Sequence, residues 1–324
     1  MARNILLTIE YDGSAFHGWQ AQRARAGRGE SPIEPGCGGL FCDNSGAEEW
    51  TDRARTVQGV LEQALSRVCG ERIALNGTSR TDAGVHALGQ AASFSGDFRI
   101  PTGRIPTAAN NLLSDVRVVD AKDVPEGFHA RFDAKGKTYI YRIISPADSA
   151  TSATLGTAEA PAAAATPAKA PAPATATAEA PALLAPPASD IFLRNYRYLL
   201  NETPDESAMA QAAKTLVGTH DFAAFRTKGG AGADDTVRTI TDIAVEGIDA
   251  RDTKGNPVRE IQIRVTGRSF MYNMVRIIVG TLVEIGLGAK GAGDMKAILE
   301  SRDRAMAGHT APASGLYLEK VYFS

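Results

Sequence analysis

Cysteine is scarce in this chain of 324 residues: three are present, Cys37, Cys42 and Cys69. So small and odd a number excludes a disulfide framework as the basis of the fold and suits a reducing compartment. A secretion signal is also missing, because Met1 to Asn4 lead straight into the strand-like Ile5-Leu6-Leu7-Thr8-Ile9. A cytoplasmic, soluble globular protein is expected. Neither G-x-x-x-x-G-K-[ST] nor a G-x-G-x-x-G after a strand occurs, which removes the cofactor classes those loops announce. Cys37 and Cys42 have no further Cys or His near enough to complete four ligands, and His86 and His129 are separated by a long stretch without ligand spacing. No metal and no cofactor are therefore expected, and both histidines read as structural. Strong charge of one sign is lacking too: a formal net charge of -2 gives no global support for a nucleic-acid partner.

Charge is nonetheless distributed unevenly. Phe128 to Arg142 carries Arg131, Lys135, Lys137 and Arg142 against Asp133, and Arg259 to Arg276 carries Arg259, Arg264, Arg268 and Arg276 against Glu260, so each segment nets +3. The interleaved rings of Phe132, Tyr139, Tyr141, Phe270 and Tyr272 make RNA contact attractive, since rings stack on unpaired bases while cations hold phosphates. Two solvated basic strands would look the same.

With 44% hydrophobic and 22% charged residues, the chain can bury one large core or two modest ones, and two lobes are the natural expectation. Two stretches stand apart. Pro146 to Ser189 holds 19 alanines and 8 prolines in 44 residues, which cannot build a core and reads as an inserted linker. About Ala21 to Arg55 is a second irregular segment, rich in Gly, Glu and Arg. Between them strands and helices alternate. Thr56 to Gly70 predicts a capped amphipathic helix with Val57, Val60, Leu61, Ala64, Leu65 and Val68 on one stripe. Asp205 to Val217 and Met295 to Ser301 predict further helices. Val116 to Val119, Thr138 to Ile144, Arg238 to Val245, Glu260 to Val265 and Leu316 to Phe323 predict strands. The fold class is α+β, with an N-terminal lobe over residues 1–128 and a C-terminal lobe over residues 129–324.

Two places are chemically odd. In Arg80-Thr81-Asp82-Ala83-Gly84-Val85-His86-Ala87 a carboxylate follows an arginine on a turn, between the strand-like Ile73 to Leu75 and Ala91 to Phe94. Asp82 either caps that turn, with Gly84 at positive φ, or serves as a nucleophile. The second is Phe270 to Leu287, apolar nearly all round a helix yet carrying Arg276. A membrane span is disfavoured by Arg276 and Glu284, and an arginine buried in a soluble protein needs an anion, because an uncompensated buried charge costs about 3 to 5 kcal/mol.

Eight separated stretches together resemble the bacterial tRNA pseudouridine synthase A family. They are Glu10 to Gly13 with Gly18-Trp19-Gln20, Thr56 to Gly59, Arg80 to Ala87, Phe128 to Phe132, Tyr139 to Arg142, Asp221 to Phe225, Phe270 to Arg276, and Gly315 to Leu318. The resemblance implies two α+β lobes of ferredoxin-like or RNA-recognition-like topology with mainly antiparallel sheets, a basic cleft between them, and a homodimer. It also implies isomerisation of uridine to pseudouridine in the anticodon stem-loop, at tRNA positions 38 to 40, with Asp82 as the catalytic aspartate, Tyr139 as the active-site tyrosine and Arg276 as its arginine partner. An arginine within about 4 to 6 Å is expected to depress the pKa of Asp82 by roughly 1 to 3 units. Tyr139 would stack on the uracil or act as a base, or else be a cross-strand ring in the pair Tyr139 and Tyr141, one facing inward and the other outward. Arg80 would fill the space of a flipped uridine, bind phosphate, or simply be a surface charge. Whether Asp82 attacks C1′ or C6 stays open. Tyr272-Asn273 stands where some relatives carry paired histidines, and no role is transferred there. The competing readings are a non-catalytic tRNA-binding or folding protein on the same scaffold and a nucleoside-cleaving hydrolase.

Overall fold

A computed structural model of the chain describes residues 2–20, 55–147, 190–227 and 235–323. Nearly all of both irregular segments, with Cys37 and Cys42, lies outside the described residues. Their edges are shifted from those the composition suggests: Pro146 is the last residue of a strand, and Arg55 is tied to Asp115 at 2.7 Å and covers the ring of Phe16 at 4.4 Å.

The described residues build an α+β fold on one continuous sheet of ten strands. In chain order these are β1 (Arg3–Tyr11), β2 (Asn76–Gly77), β3 (His86–Gly96), β4 (Val116–Val124), β5 (Gly136–Pro146), β6 (Tyr198–Leu199), β7 (Gly218–Asp221), β8 (Val237–Arg251), β9 (Pro257–Gly267) and β10 (Leu316–Tyr322). The order across the sheet is β4-β1-β3-β10-β5-β9-β8-β7, with β2 added to β3 and β6 to β5. Neighbours are antiparallel except β10 with β3 and β5 with β6. β10 joins the two halves of the chain. It pairs Tyr317 with His86 and Leu318 with Ala87 on one side, and Leu318 with Tyr139 and Leu316 with Tyr141 on the other. One strand thereby sets the offset between the loop preceding His86 and the tyrosines of β5.

The helices are α1 (Val57–Cys69), α2 (Ile105–Asn110), α3 (Glu206–Lys214), α4 (Met274–Gly286) and α5 (Asp294–Ser301). α1 forms as its sequence dictates: the Thr56 hydroxyl accepts from the Gly59 amide at 3.2 Å, Gly70 ends the helix at φ 74°, and Val57, Leu61, Ala64 and Leu65 are buried. Each of the larger aliphatic side chains so buried is worth about 1.5 to 3 kcal/mol of transfer free energy. Ten of the 13 residues of α4 are buried, which explains its all-round apolar sequence. No helix among the described residues is long and apolar enough to cross a membrane.

Ile73 to Leu75 differs from expectation. Both outer side chains are buried, but the backbone joins no strand, because the amides of Ile73 and Leu75 donate instead to the Ser66 hydroxyl and the Glu62 carboxylate of α1, both at 2.9 Å. Pairing with β3 is confined to Asn76–Gly77.

Candidate active site

The turn carrying Asp82 runs from β2 to β3 and is clamped by the last residue of β1 and by residues that follow it. The Trp19 amide donates to the Thr81 carbonyl at 3.1 Å, the Tyr11 and Thr81 hydroxyls share a 2.7 Å hydrogen bond, and the Val85 amide closes the turn on the Asp82 carbonyl at 3.2 Å. Gly84 adopts φ 77°, as the turn requires. Gly18 has φ 94°, and a Cβ there would lie 2.6 Å from the Thr81 carbonyl oxygen, so close packing of the two segments demands glycine. The backbone of the turn is thus held from outside, and the Asp82 side chain caps none of it.

Asp82 instead faces Arg276, one turn into α4, with Nη1 3.6 Å from Oδ2. A quarter of the Asp82 side chain and 17% of the Arg276 side chain remain exposed. The carboxylate accepts no other hydrogen bond among the described residues. Arg276 is better anchored: Nε donates to the Ala311 carbonyl at 2.7 Å and Nη1 to the Asn273 side-chain oxygen at 2.9 Å. The expected depression of the Asp82 pKa is overturned. Burial outweighs the attraction of Arg276 and holds the carboxyl above its ordinary value, because the ion pair is long while the desolvation is extensive.

Tyr139 reaches the same turn from β5. Its hydroxyl and that of Ser79 share a hydrogen bond of 3.1 Å, and its ring meets the edge of Phe270 at 5.2 Å between centroids. Burial, and secondarily the nearby Asp82 charge, push the phenol up to about 12. The alternation expected for Tyr139 and Tyr141 is also corrected. Both rings are buried, as positions two apart on one strand share a face, and Tyr141 donates to the Pro312 carbonyl at 2.7 Å.

Asp82, Arg276 and Tyr139 are therefore brought together from the two halves of the chain. Arg80 is not: its side chain is exposed and makes no hydrogen bond or ion pair among the described residues. His86 is a buried framework residue, with Nδ1 accepting from the Gly13 amide at 3.1 Å, Nε2 within 2.8 Å of the Asn195 carbonyl, and the ring stacked on Tyr317 at 4.6 Å. His129 Nδ1 accepts from the Arg131 amide at 3.1 Å. The basic segments are thinned by partners from remote elements. Arg259 pairs with Glu206 and Asp249, Arg264 with Glu246 and Glu319, and Arg142 lies over the Tyr317 ring at 5.1 Å.

Asn273 is the site residue that sequence reasoning passed over. It sits just before α4 in the left-handed region at φ 59°, a conformation that Asn tolerates better than most residues. From there its side chain bridges Arg276 and the Thr227 hydroxyl, the latter at 3.1 Å. No periodicity marks such a residue. Its one signal is an Asn directly before an apolar helix.

A carboxylate that is ionisable, one loose contact from a fixed guanidinium and beside a buried tyrosine can attack or stabilise an electron-poor carbon. Comparison with known proteins supplies the relatives of the chain. The family model described as tRNA pseudouridine synthase matches residues 41–133 and 212–324. The tRNA pseudouridine synthase A of Acetivibrio thermocellus is 36% identical over 322 residues, covering 99% of this chain and 100% of that protein. The tRNA pseudouridine synthase A 2 of Clostridium tetani is 34% identical over 325 residues, with both chains fully covered. The tRNA pseudouridine synthase A of Halalkalibacterium halodurans is 35% identical, covering 97% of this chain and 90% of its own.

Proposed function

Since the chain belongs to the tRNA pseudouridine synthase family, we propose that Asp82 is the carboxylate with which it isomerises uridine in the anticodon stem-loop of tRNA, at positions 38 to 40. Membership makes it an isomerase that forms pseudouridine in tRNA. The single observation that carries the role of Asp82 is its pairing with Arg276 at 3.6 Å while its remaining acceptor capacity is unused by the described residues.

The reaction breaks the bond from C1′ to N1, turns the freed uracil, and joins C1′ to C5; the proton on C5 leaves and N1 regains one, so no atom is gained or lost. Asp82 serves as the nucleophile at the sugar or the base, in the manner of carboxylates at anomeric carbons. Arg276 keeps the ionised form available and aims it. Tyr139 stays a neutral phenol near pH 7, since a hydroxyl pushed up to about 12 is a poor base, and serves as a ring against the uracil and a hydroxyl donor. Arg80, free at the rim, takes the place vacated by the flipped uridine or holds phosphate. The working form is a cytoplasmic homodimer, its N-terminal lobe (residues 1–128) supplying the aspartate and its C-terminal lobe (residues 129–324) the tyrosine and arginine.

The test is to incubate unmodified tRNA with the parent and with Asp82→Ala and to map pseudouridine by carbodiimide adducts. The parent is expected to mark positions within the anticodon arm and the variant none. Equal maps would remove Asp82 from the chemistry; marks elsewhere would remove the anticodon assignment; release of free uracil would indicate a hydrolase.

A further inference from the structure

A lysine beside the site, like Arg80, has no anion among the described residues. Lys137 lies on β5 two residues before Tyr139 and therefore on the same face. Its side chain is partly buried, and its ammonium has one partner among the described residues, the Thr78 carbonyl at 3.4 Å. That contact is long for a hydrogen bond, and an ammonium has three donors to place. Thr78 precedes Ser79, which holds the Tyr139 hydroxyl, so Lys137 and Tyr139 touch adjacent residues at the start of the Asp82 turn.

A second cation makes the arrangement less comfortable. Arg131 follows Ala130, whose carbonyl accepts from the Thr78 hydroxyl at 3.2 Å, so both cations flank Thr78, and burial together with the Arg131 charge brings the Lys137 ammonium down to about 8. Arg131 is itself exposed and has no ion-pair partner among the described residues. Two like charges, one of them partly desolvated, thus have no carboxylate partner among the described residues, and the Arg131 guanidinium has only the Phe132 ring at 5.9 Å. Arg259 and Arg264 of the second basic segment differ, since each has two carboxylates.

We propose that Lys137 and Arg131 form a binding site for one backbone phosphate of the tRNA, flanking the nucleotide on which Asp82 acts. This rests on the function proposed above for the same site. A phosphate oxygen there would accept the unused Lys137 donors and a guanidinium edge of Arg131, converting a repulsive pair into a clamp. Because the clamp abuts the residue that holds Tyr139, it would register the strand relative to the carboxylate.

The experiment measures the Kd of tRNA against monovalent salt for the parent, Lys137→Gln, Lys137→Arg and Arg131→Gln, with steady-state pseudouridine formation alongside. For Lys137→Gln the slope of log K against log salt should become shallower by about one contact and Kd should weaken about tenfold. The activity loss should fall on KM rather than kcat, and Lys137→Arg should recover both slope and KM. Unchanged slope and Kd in folded Lys137→Gln would overturn the proposal, as would a loss confined to kcat. Should Lys137→Gln fail to fold, exposed Arg131→Gln decides: a shallower slope supports the clamp and an unchanged one overturns it. A parent that binds tRNA but forms no pseudouridine would refute the function proposed above, and the salt slopes would still support or overturn the clamp by themselves.

Discussion

Two arginines of this chain meet carboxylates in opposite ways. Arg259, on β9, is saturated: Nε and Nη2 reach Glu206 at 2.6 and 3.0 Å while Nη1 reaches Asp249 at 2.5 Å. These short bonds, above all to Glu206, hold the guanidinium proton more firmly than usual. Arg276 meets Asp82 at 3.6 Å and spends its good hydrogen bonds on neutral oxygens of Ala311 and Asn273. The Arg259 pairs consume their carboxylates, whereas Arg276 is fixed by other means and leaves Asp82 free, as the proposed chemistry requires. The same distinction accounts for the pKa of Asp82, since a looser partner cannot offset burial.

The contrast breaks first at Arg276. Arg276→Leu is expected to lower turnover about 10² to 10³-fold, the scale of removing one preorganised charge contact, while gel-shift assays still detect tRNA binding. The acid limb of its residual pH–rate profile should move to higher pH, because the group that lowers the Asp82 pKa is gone. Loss of folding, seen by circular dichroism, would instead make the pair chiefly structural. Asn273→Ala should cost about tenfold in turnover and about 1 kcal/mol in stability. Asn273→Gly, which accepts φ 59°, should recover stability in denaturant titrations but not turnover. Arg259→Leu should cost about 1 kcal/mol of stability, as fits partly exposed pairs, with turnover at 25 °C unchanged. The smallest effect is the most pointed. Burial raises the Asp82 carboxyl above its unfolded value, so the stability this group contributes is present at low pH and is lost as pH rises through its folded pKa. Asp82→Asn should accordingly melt slightly higher than the parent at pH 7, with the gain fading in acid; a lower melting temperature would show that Arg276 depends on the charge after all.

Much of this was legible in the chain. Periodicity and caps foretold α1 closely, and the all-round apolar run of α4 foretold both its burial and a charged partner for Arg276. Ile73 to Leu75 misled because the hydrogen bonds that claim its amides come from the polar side of α1, which no strand pattern reports. The basic segments misled for a related reason. Counting charges along Arg259 to Arg276 cannot reveal that Glu206, Asp249, Glu246 and Glu319 arrive from three other elements to neutralise Arg259 and Arg264. The sign of the Asp82 shift was out of reach as well, since it turns on a difference between burial and a distance.

β10 has a consequence for how the molecule is made. It follows every other strand in sequence yet occupies the middle of the sheet, with β3 on one flank and β5 on the other. Until Leu316–Tyr322 leaves the ribosome, both flanking strands have a bare edge, and the turn bearing Asp82 and the strand bearing Tyr139 have no common ruler. Such late, long-range closure is slow and leaves unpaired edges open to wrong partners. The enzyme therefore acquires its two halves early and its proposed active site only at the last strand.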